Sequence, residues 1–449
     1  MKNRVKTILL TLAIVLMANA AFTQADSING FTLKAAQQYA MENSYVLQNS
    51  KYDVTIAQKE VWKAISTGLP QVSGTANYNL FLNLPVSLIP GEFFGEEAGT
   101  YIPVKFGQDY NSDFGFTVNQ QIFDGTYIVA VGSAQIYLDL AKQASEKAEI
   151  NIRDAVAQAY YSVLIGEENK KVMEDNLENV KQLYKETKAY YDNGFREELD
   201  VDQMQIMVRN AENEILKADR EIVIARMVLK YAMGYEIDRE LVISESLSDF
   251  VNPLVARQYM TGFDYSSHID YRMANTNLQV SEKLLRLEKA AFLPQLNTFY
   301  SYSKTAYGDK ANLLKSDVSW FPSSLIGFQL TMPIFSSGNK LMKVQQAKIE
   351  LTKAQNDRRL AESTLKKDYL TAVAEMETAL EKYKNDKESA ELAEKILEKS
   401  KIKFNNGMIS STELSQLETQ YIQSHGAYIG STMQLLQARQ QMKKTSGEL

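Results

Sequence analysis

The 449-residue chain has no cysteine, and its only histidines are His268 and His425. Each shortage excludes something. Without cysteine there is no disulfide framework, no thiolate metal site and no acyl anchor on an N-terminal cysteine. Two histidines far apart in sequence leave almost no raw material for a zinc centre, so no metal is expected and both belong on a surface or a lining. Proline (8) and glycine (21) are scarce, while Ala, Gln, Glu, Lys and Leu fill long windows, the bias of extended helices. No apolar window after residue 20 approaches the ~20 residues that a spanning helix needs. If this chain crosses a membrane, it does so with strands. Formal charge is −6, and no basic and aromatic cluster offers a nucleic-acid site.

The first residues read as an address. Lys2, Arg4 and Lys6 precede an apolar run from Ile8 to Met17 and the small stretch Ala18-Asn19-Ala20, the layout of a cleaved secretory signal over 1–20. The run is too short for a transmembrane anchor. Loss of those three basic residues takes the formal charge from −6 to −9.

The remainder is a tandem duplication. An offset of 213 carries Gly125 onto Gly338, Ala134 onto Ala347, Leu138 onto Leu351, Ile152 onto Leu365, Gly194 onto Gly407 and Gly234 onto Gly447 with no insertion. Spacing kept without an indel over about a hundred positions is what two long helices with level ends require. Upstream, Leu69-Pro70-Gln71 matches Leu293-Pro294-Gln295 at an offset of 224, so the stretch from Pro70 to Gly125 is 11 residues longer than that from Pro294 to Gly338.

Thr32 is an expected N-cap for a helix running to about Ser66, ended by Gly68 and Pro70. Period-two alternation follows. Val72, Gly74, Ala76, Tyr78 and Leu80 alternate with Ser73, Thr75, Asn77 and Asn79, and Phe114, Phe116, Val118 and Ile122 alternate with Gly115, Thr117, Asn119 and Gln121. The second half repeats the plan. The pairs are predicted near 72–82 with 113–123 and near 295–304 with 324–335, each strand ~10 residues, long enough to cross a bilayer when tilted. An ordinary sheet on a soluble core has the same pattern, although Ser, Thr, Asn and Gln on the polar face suit a water-filled lumen. An irregular segment holding Pro85, Pro90, Gly91, Gly95, Gly99 and Pro103 forms the longer first loop.

Long helices follow Gly125 and Gly338. Ala134, Leu138, Ala141, Ala148 and Ile152, like Ala347, Leu351, Ala354, Ala361 and Leu365, keep the 4-3 spacing of a coiled-coil seam. They are expected to reach Tyr191 and Phe404, roughly 100 Å at 1.5 Å per residue, and to turn at Asn193-Gly194 and Asn406-Gly407. The predicted repeats are 21–234 and 268–449, with a small separate connecting region over 235–267. Four strands cannot span a membrane alone, because an open edge is forbidden there. They must close with copies of themselves.

Two segments come near to known ligand-binding motifs and fall short of them. Asp109, Asn111 and Asp113 suggest a calcium loop, yet Gly115 comes one place late and Gln120 stands where a bidentate Glu belongs. Ser336-Ser337-Gly338-Asn339-Lys340 lacks phosphate-loop spacing. Neither an enzyme nor a cofactor is indicated, and any transport must be driven by a partner.

Pro70 and Pro294 before the strand pairs, Ile122-Phe123-Asp124-Gly125 and Ile334-Phe335-Ser336-Ser337-Gly338 after them, and the tips Tyr191-Asp192-Asn193-Gly194-Phe195 and Phe404-Asn405-Asn406-Gly407-Met408 together carry a resemblance over the whole chain beyond the signal. It resembles the TolC family of outer-membrane efflux proteins. The resemblance implies a mostly α protomer with transmembrane β, trimerising into a twelve-stranded outer-membrane barrel continued by a periplasmic helical coiled-coil barrel in a Gram-negative cell. It implies an exit duct of a tripartite efflux or type I secretion system, with a periplasmic adaptor, an RND or ABC transporter of the inner membrane and outer-membrane lipid as partners. The tip residues Asn193, Gly194, Phe195, Asn406, Gly407 and Met408 would dock the adaptor. Family acids that ring the tunnel entrance match Glu413-Leu414-Ser415-Gln416 and Asp200-Val201-Asp202-Gln203, so Gln416 replaces one acid and the acidic ring is thinner than the pattern. A periplasmic coiled-coil scaffold without a pore is the alternative, and it requires neither paired strands nor signature turns.

Overall fold

A computed structural model describes residues 30–251, 263–315 and 317–448. The signal expected over 1–20 and residues 252–262 of the expected connecting region lie outside the described residues. In chain order the elements are α1 (Leu33–Asn43), α2 (Tyr45–Ser66), β1 (Gln71–Leu80), β2 (Val86–Pro90), β3 (Tyr101–Lys105), β4 (Tyr110–Asp124), α3 (Gly125–Asp192), α4 (Glu198–Met233), α5 (Ile269–Ala290), β5 (Gln295–Gly308), β6 (Trp320–Thr331), α6 (Asn339–Asn405) and α7 (Ser411–Ser446). They form two compact units, one of residues 52–143 and 273–360, the other of residues 30–51, 144–272 and 361–448.

The first unit holds an antiparallel four-stranded sheet in the order β1-β4-β5-β6. Its register pairs even residues with even ones, Gly74 with Phe116, Phe116 with Tyr302 and Tyr300 with Ile326. The apolar parity of all four strands therefore lies on one face, where Phe116 packs on Tyr300 and Tyr302, and Phe114 on Trp320. The other face is tied by polar cross-strand pairs. Asn77 Nδ2 donates to Asp113 Oδ2 at 3.0 Å, Asn79 Nδ2 to Asn111 Oδ1 at 2.8 Å, and Thr117 Oγ1 to Ser301 Oγ at 3.3 Å.

Three details depart from the expected pattern. A bulge between Gln121 and Phe123 shifts the register, so Phe123, not Ile122, faces Leu296. β6 starts at Trp320 and stops at Thr331, just short of Pro333, which has no N–H to give the ladder. The longer first loop is partly ordered, for β2 and β3 pair antiparallel around a short 3-10 turn over Gly91–Phe94.

Helical packing organises the second unit. The expected first helix is two helices, because Ser44 is extended (ψ 123°). The cause is tertiary. Gly234 caps α4 in the left-handed region (φ 70°) and lies so close to Asn43 that a Cβ there would sit 2.6 Å from its carbonyl oxygen. Residues 235–251 do not stand apart as expected. Tyr235, Leu241 and Leu247 are buried in one core with Ala36, Ala40, Leu47, Val156, Tyr160 and Met233. Within it Glu245 accepts from Leu33 N–H at 2.6 Å and from the Tyr160 hydroxyl at 3.0 Å.

Candidate functional site

The two hairpin tips form the first candidate. Gly194 (φ 79°) and Gly407 (φ 71°) end α3 and α6 in a conformation that Cβ-bearing residues resist. Their amides return to the Tyr191 and Phe404 carbonyls at 2.8 and 2.9 Å. Past each glycine an apolar side chain is left in the open, Phe195 at 78% and Met408 at 71% exposure. Just behind, Val180, Leu183, Met204, Met207, Leu397, Phe404 and Leu414 bury one another, so both hairpins share a core at their ends.

Arg196 fastens one tip to the other. Its guanidinium lies 4.2 Å from the Phe404 ring centroid, donates to the Phe404 carbonyl and sits 3.8 Å from Asp200 Oδ2. Asn405 Nδ2 adds a bond to Glu186 Oε2 at 3.2 Å. Asp200 is thereby half-buried against its own arginine, with Gln203 one turn further on. Glu413 is placed differently. It is exposed in the first turn of α7, where its N–H donates to Ser410 Oγ at 3.1 Å, and Gln416 is exposed one turn later. No hydrogen bond or ion pair joins Glu413 to Asp200 among the described residues.

The strand-to-helix turns have structural tasks. Asp124 Oδ1 accepts from the Thr126 amide at 2.7 Å at the start of α3. A Cβ on Gly125 would meet Leu293 at 2.6 Å, beside Pro294. Gly338 (φ 81°) turns in open space. Pro70 separates α2 from β1, next to Gly68, which the Tyr127 ring covers.

The family described as outer membrane efflux protein matches residues 36–235 and 266–448, one block in each repeat. The chain belongs to that family. Its fold is similar to that of CusC, whose crystal structures concern folding and transmembrane channel formation (TM-score 0.73, 15% identity, 92% of this chain and 91% of that one). It is also similar to the CmeC outer membrane channel of Campylobacter jejuni (0.71, 15%, 93% and 85%). VceC, an outer membrane protein of Vibrio cholerae, aligns with a TM-score of 0.71 at 15% identity over 92% of this chain and 96% of its own. No curated protein sequence matches.

In this efflux-family chain several polar residues escape sequence reasoning because burial alone makes them notable. Glu418 of α7 is buried, with Asn176 Nδ2 donating to its Oε1 at 3.0 Å. Burial pushes its carboxyl above the usual range, against the pull of the Asn176 bond and of Lys401. Lys401 is lowered, again by burial. One turn and more along α7, burial lowers His425, whose Nε2 has no hydrogen-bond partner among the described residues, and pushes Tyr428 up to about 12. His268 is buried rather than superficial, and its Nδ1 accepts from Asp270 N–H at 3.2 Å at the start of α5. The 3-4 spacing of Glu418, Tyr421, His425 and Tyr428 was the available signal, a helix face that reads as polar yet repeats like a core.

Proposed function

We propose that this chain is one protomer of a homotrimeric outer-membrane exit duct. The sheet carries the reading. Strands of 10 to 15 residues present one apolar and one polar face, and β1 and β6 are left as open edges. A bilayer admits no open edge, so β1 of one copy closes on β6 of the next, and three copies give a barrel of twelve strands with a polar lumen. The helical unit also offers copies something to bury, since Ile206, Val223, Ile224, Met227 and Tyr231 are exposed along α4.

In this reading most of the chain lies in the periplasm and the tips meet an adaptor that couples the duct to an RND or ABC transporter. Phe195 and Met408, held out by Gly194 and Gly407 beside Asn193 and Asn406, supply the apolar contact. Conduction is passive, and energy comes from the partner. Three copies of Glu413 near the symmetry axis would repel one another and draw cations to the entrance.

Sizing of the detergent-extracted protein combined with planar-bilayer recording tests the reading. A trimer with stable single-channel currents is expected, and Glu413→Gln should lower cation selectivity without changing assembly. A monomer without conductance would support a periplasmic scaffold instead.

A further inference from the structure

One exposed face of α7 carries no charge over a long run. From Gln416 to Gln441 its fully exposed positions are Gln416, Gln420, Gln423, Gln434, Gln437 and Gln441, interrupted by Thr419, Gly426, Ala427 and Gly430. No charged side chain stands among them, whereas exposed positions of α6 include Glu375, Lys384, Glu391 and Lys395. At 1.5 Å per residue the track is about 38 Å long.

The duplication supplies an internal control. Shifted back by 213 positions, Ala427, Gly430 and Gln434 fall on Glu214, Lys217 and Glu221 of α4, and Gln437 and Gln441 fall on Ile224 and Val228. The α4 positions are exposed too. One face thus became charged and then apolar in the first repeat, and a run of neutral amides in the second. A copy of the chain gains by covering Ile224 and Val228, but burying six primary amides would leave donors and acceptors to be matched one by one. Among the described residues nothing covers Gly426 or Gly430 either, as a Cβ on each would meet no atom within 4 Å.

We propose that the α7 track is the cargo-contacting lining of the duct, and that its chemistry suits neutral and zwitterionic solutes rich in hydroxyl and amide groups. This rests on the conduit reading above. A primary amide both donates and accepts, so it replaces the hydrogen bonds that such a solute gives up to water. The net gain per bond is small, about 0.5–1.5 kcal/mol, and passage through a conduit needs contacts weak enough to be left. A charged wall would instead retain solutes of the opposite sign. Gln434, Gln437 and Gln441 also form one wall of an open groove of about 1260 Å³ shared with α6. Of the charges opposite, Lys367 pairs with Asp368 and Lys382 with Asp386 on their own helix, both at 2.7 Å, and Lys366 and Glu375 are exposed with opposite signs. Glu413 is an exposed charge in the first turn of α7, ahead of the track.

The absence of native cysteine makes the test direct. Gln423→Cys, Gln434→Cys and Gln437→Cys, made one at a time in the full chain, are treated in planar bilayers with anionic and then cationic methanethiosulfonates. The expected result is that both reagents react and move the reversal potential under a salt gradient in opposite directions. Maltohexaose, a neutral probe, should block the unmodified channel briefly, and Val228→Cys should be shielded in the trimer. Currents that ignore modification at Gln434 and Gln437 would overturn the assignment while leaving the conduit intact. Variants that assemble only as monomers would do the same, by placing the face between copies. A wild-type protein without conductance would remove the conduit and this lining with it.

Discussion

Removing the Arg196 side chain tests whether the two tips act as one body. Three interactions vanish together: the contact over Phe404 at 4.2 Å, the charge-assisted bond to the Phe404 carbonyl and the neighbourhood of Asp200 at 3.8 Å. A hydrogen bond from a charged donor contributes ~1.5–3 kcal/mol and a cation over a ring ~0.5–1 kcal/mol. The Asp200 pair adds less, since at 3.8 Å it is no close hydrogen bond, and its larger effect is to leave Asp200 half-buried without a countercharge. Arg196→Ala should therefore ease local opening of the tips by about 2–3 kcal/mol, roughly a 30- to 150-fold rise in hydrogen exchange where exchange follows local opening.

The amides to watch are those of Gly407 and Met408, which bond to the Phe404 and Lys403 carbonyls at 2.9 Å. Arg196→Lys should fall between, because an ammonium keeps the charge but loses the planar stack. Trimer formation should not change. Unaltered exchange at Gly407 and Met408 in Arg196→Ala would refute the clasp.

Gly234→Ala should lower the melting temperature of the helical unit well beyond Gly447→Ala: both pay ~1–2 kcal/mol for a left-handed Cβ, but only the first drives it against a carbonyl at 2.6 Å, the nearest atom to the second being Ser267 Oγ at 3.9 Å. Equal losses would argue against the close approach at Asn43. Phe116→Arg or Phe328→Arg, on the apolar face, should cost ~2–4 kcal/mol at mid-membrane depth and deplete heat-stable trimers on gels, whereas Thr117→Arg on the polar face should assemble. Glu418 titrates above its ordinary 4.5 because it is buried, so the folded chain binds a proton that the unfolded one releases. Stability from this residue rises as pH falls through that window, and denaturant titrations of Glu418→Gln should lack that gain, so that its stability falls more than the wild type's on the acid side. His425, held below 6.5 by burial, acts oppositely, so stability is lost as pH falls from that value and His425→Phe should remove the loss. The groups around this pair are Glu168, Asp175 and Asn176 of α3, Glu394, Glu398 and Lys401 of α6, and Tyr421 and Tyr428 of α7.

What could be read in the sequence is what depends on period and spacing. The alternation of Val72 to Leu80 and of Phe114 to Val118 gives the faces of the sheet, since period two leaves no other choice once the strands pair in register. Gly194, Gly234, Gly407 and Gly447 mark helix ends because all four occupy the left-handed region. Seam residues Leu138, Ile152 and Leu365 are buried as their spacing implies. Features set by a distant partner left no local trace. The break at Ser44 exists because Gly234 arrives there from elsewhere in the chain, and the bulge at Gln121 adjusts β4 to β5 without glycine or proline to announce it. Glu418 reads as one more surface acid on a polar helix until Asn176 is seen against it.

The clasp also shows how a duplication stops being symmetric. Shifted by 213, Phe404 falls on Tyr191 and Arg196 on Ile409. The aromatic ring at each tip is kept, but only the first tip owns the guanidinium that can stack on a ring. Ile409 packs instead against the shared apolar core of Val180, Met204 and Leu414, and Tyr191 is left 39% exposed. The first hairpin therefore grips the second, and no reciprocal grip exists at the equivalent positions. The helices leading to the tips differ by one residue, 68 against 67, and the return helices both have 36, so the asymmetry lies in restraint rather than in reach. Loss of Arg196 should accordingly free the second tip, at Gly407 and Met408, more than the first, at Gly194 and Phe195, because the ring and carbonyl that Arg196 holds are those of Phe404, the residue to which the Gly407 amide donates.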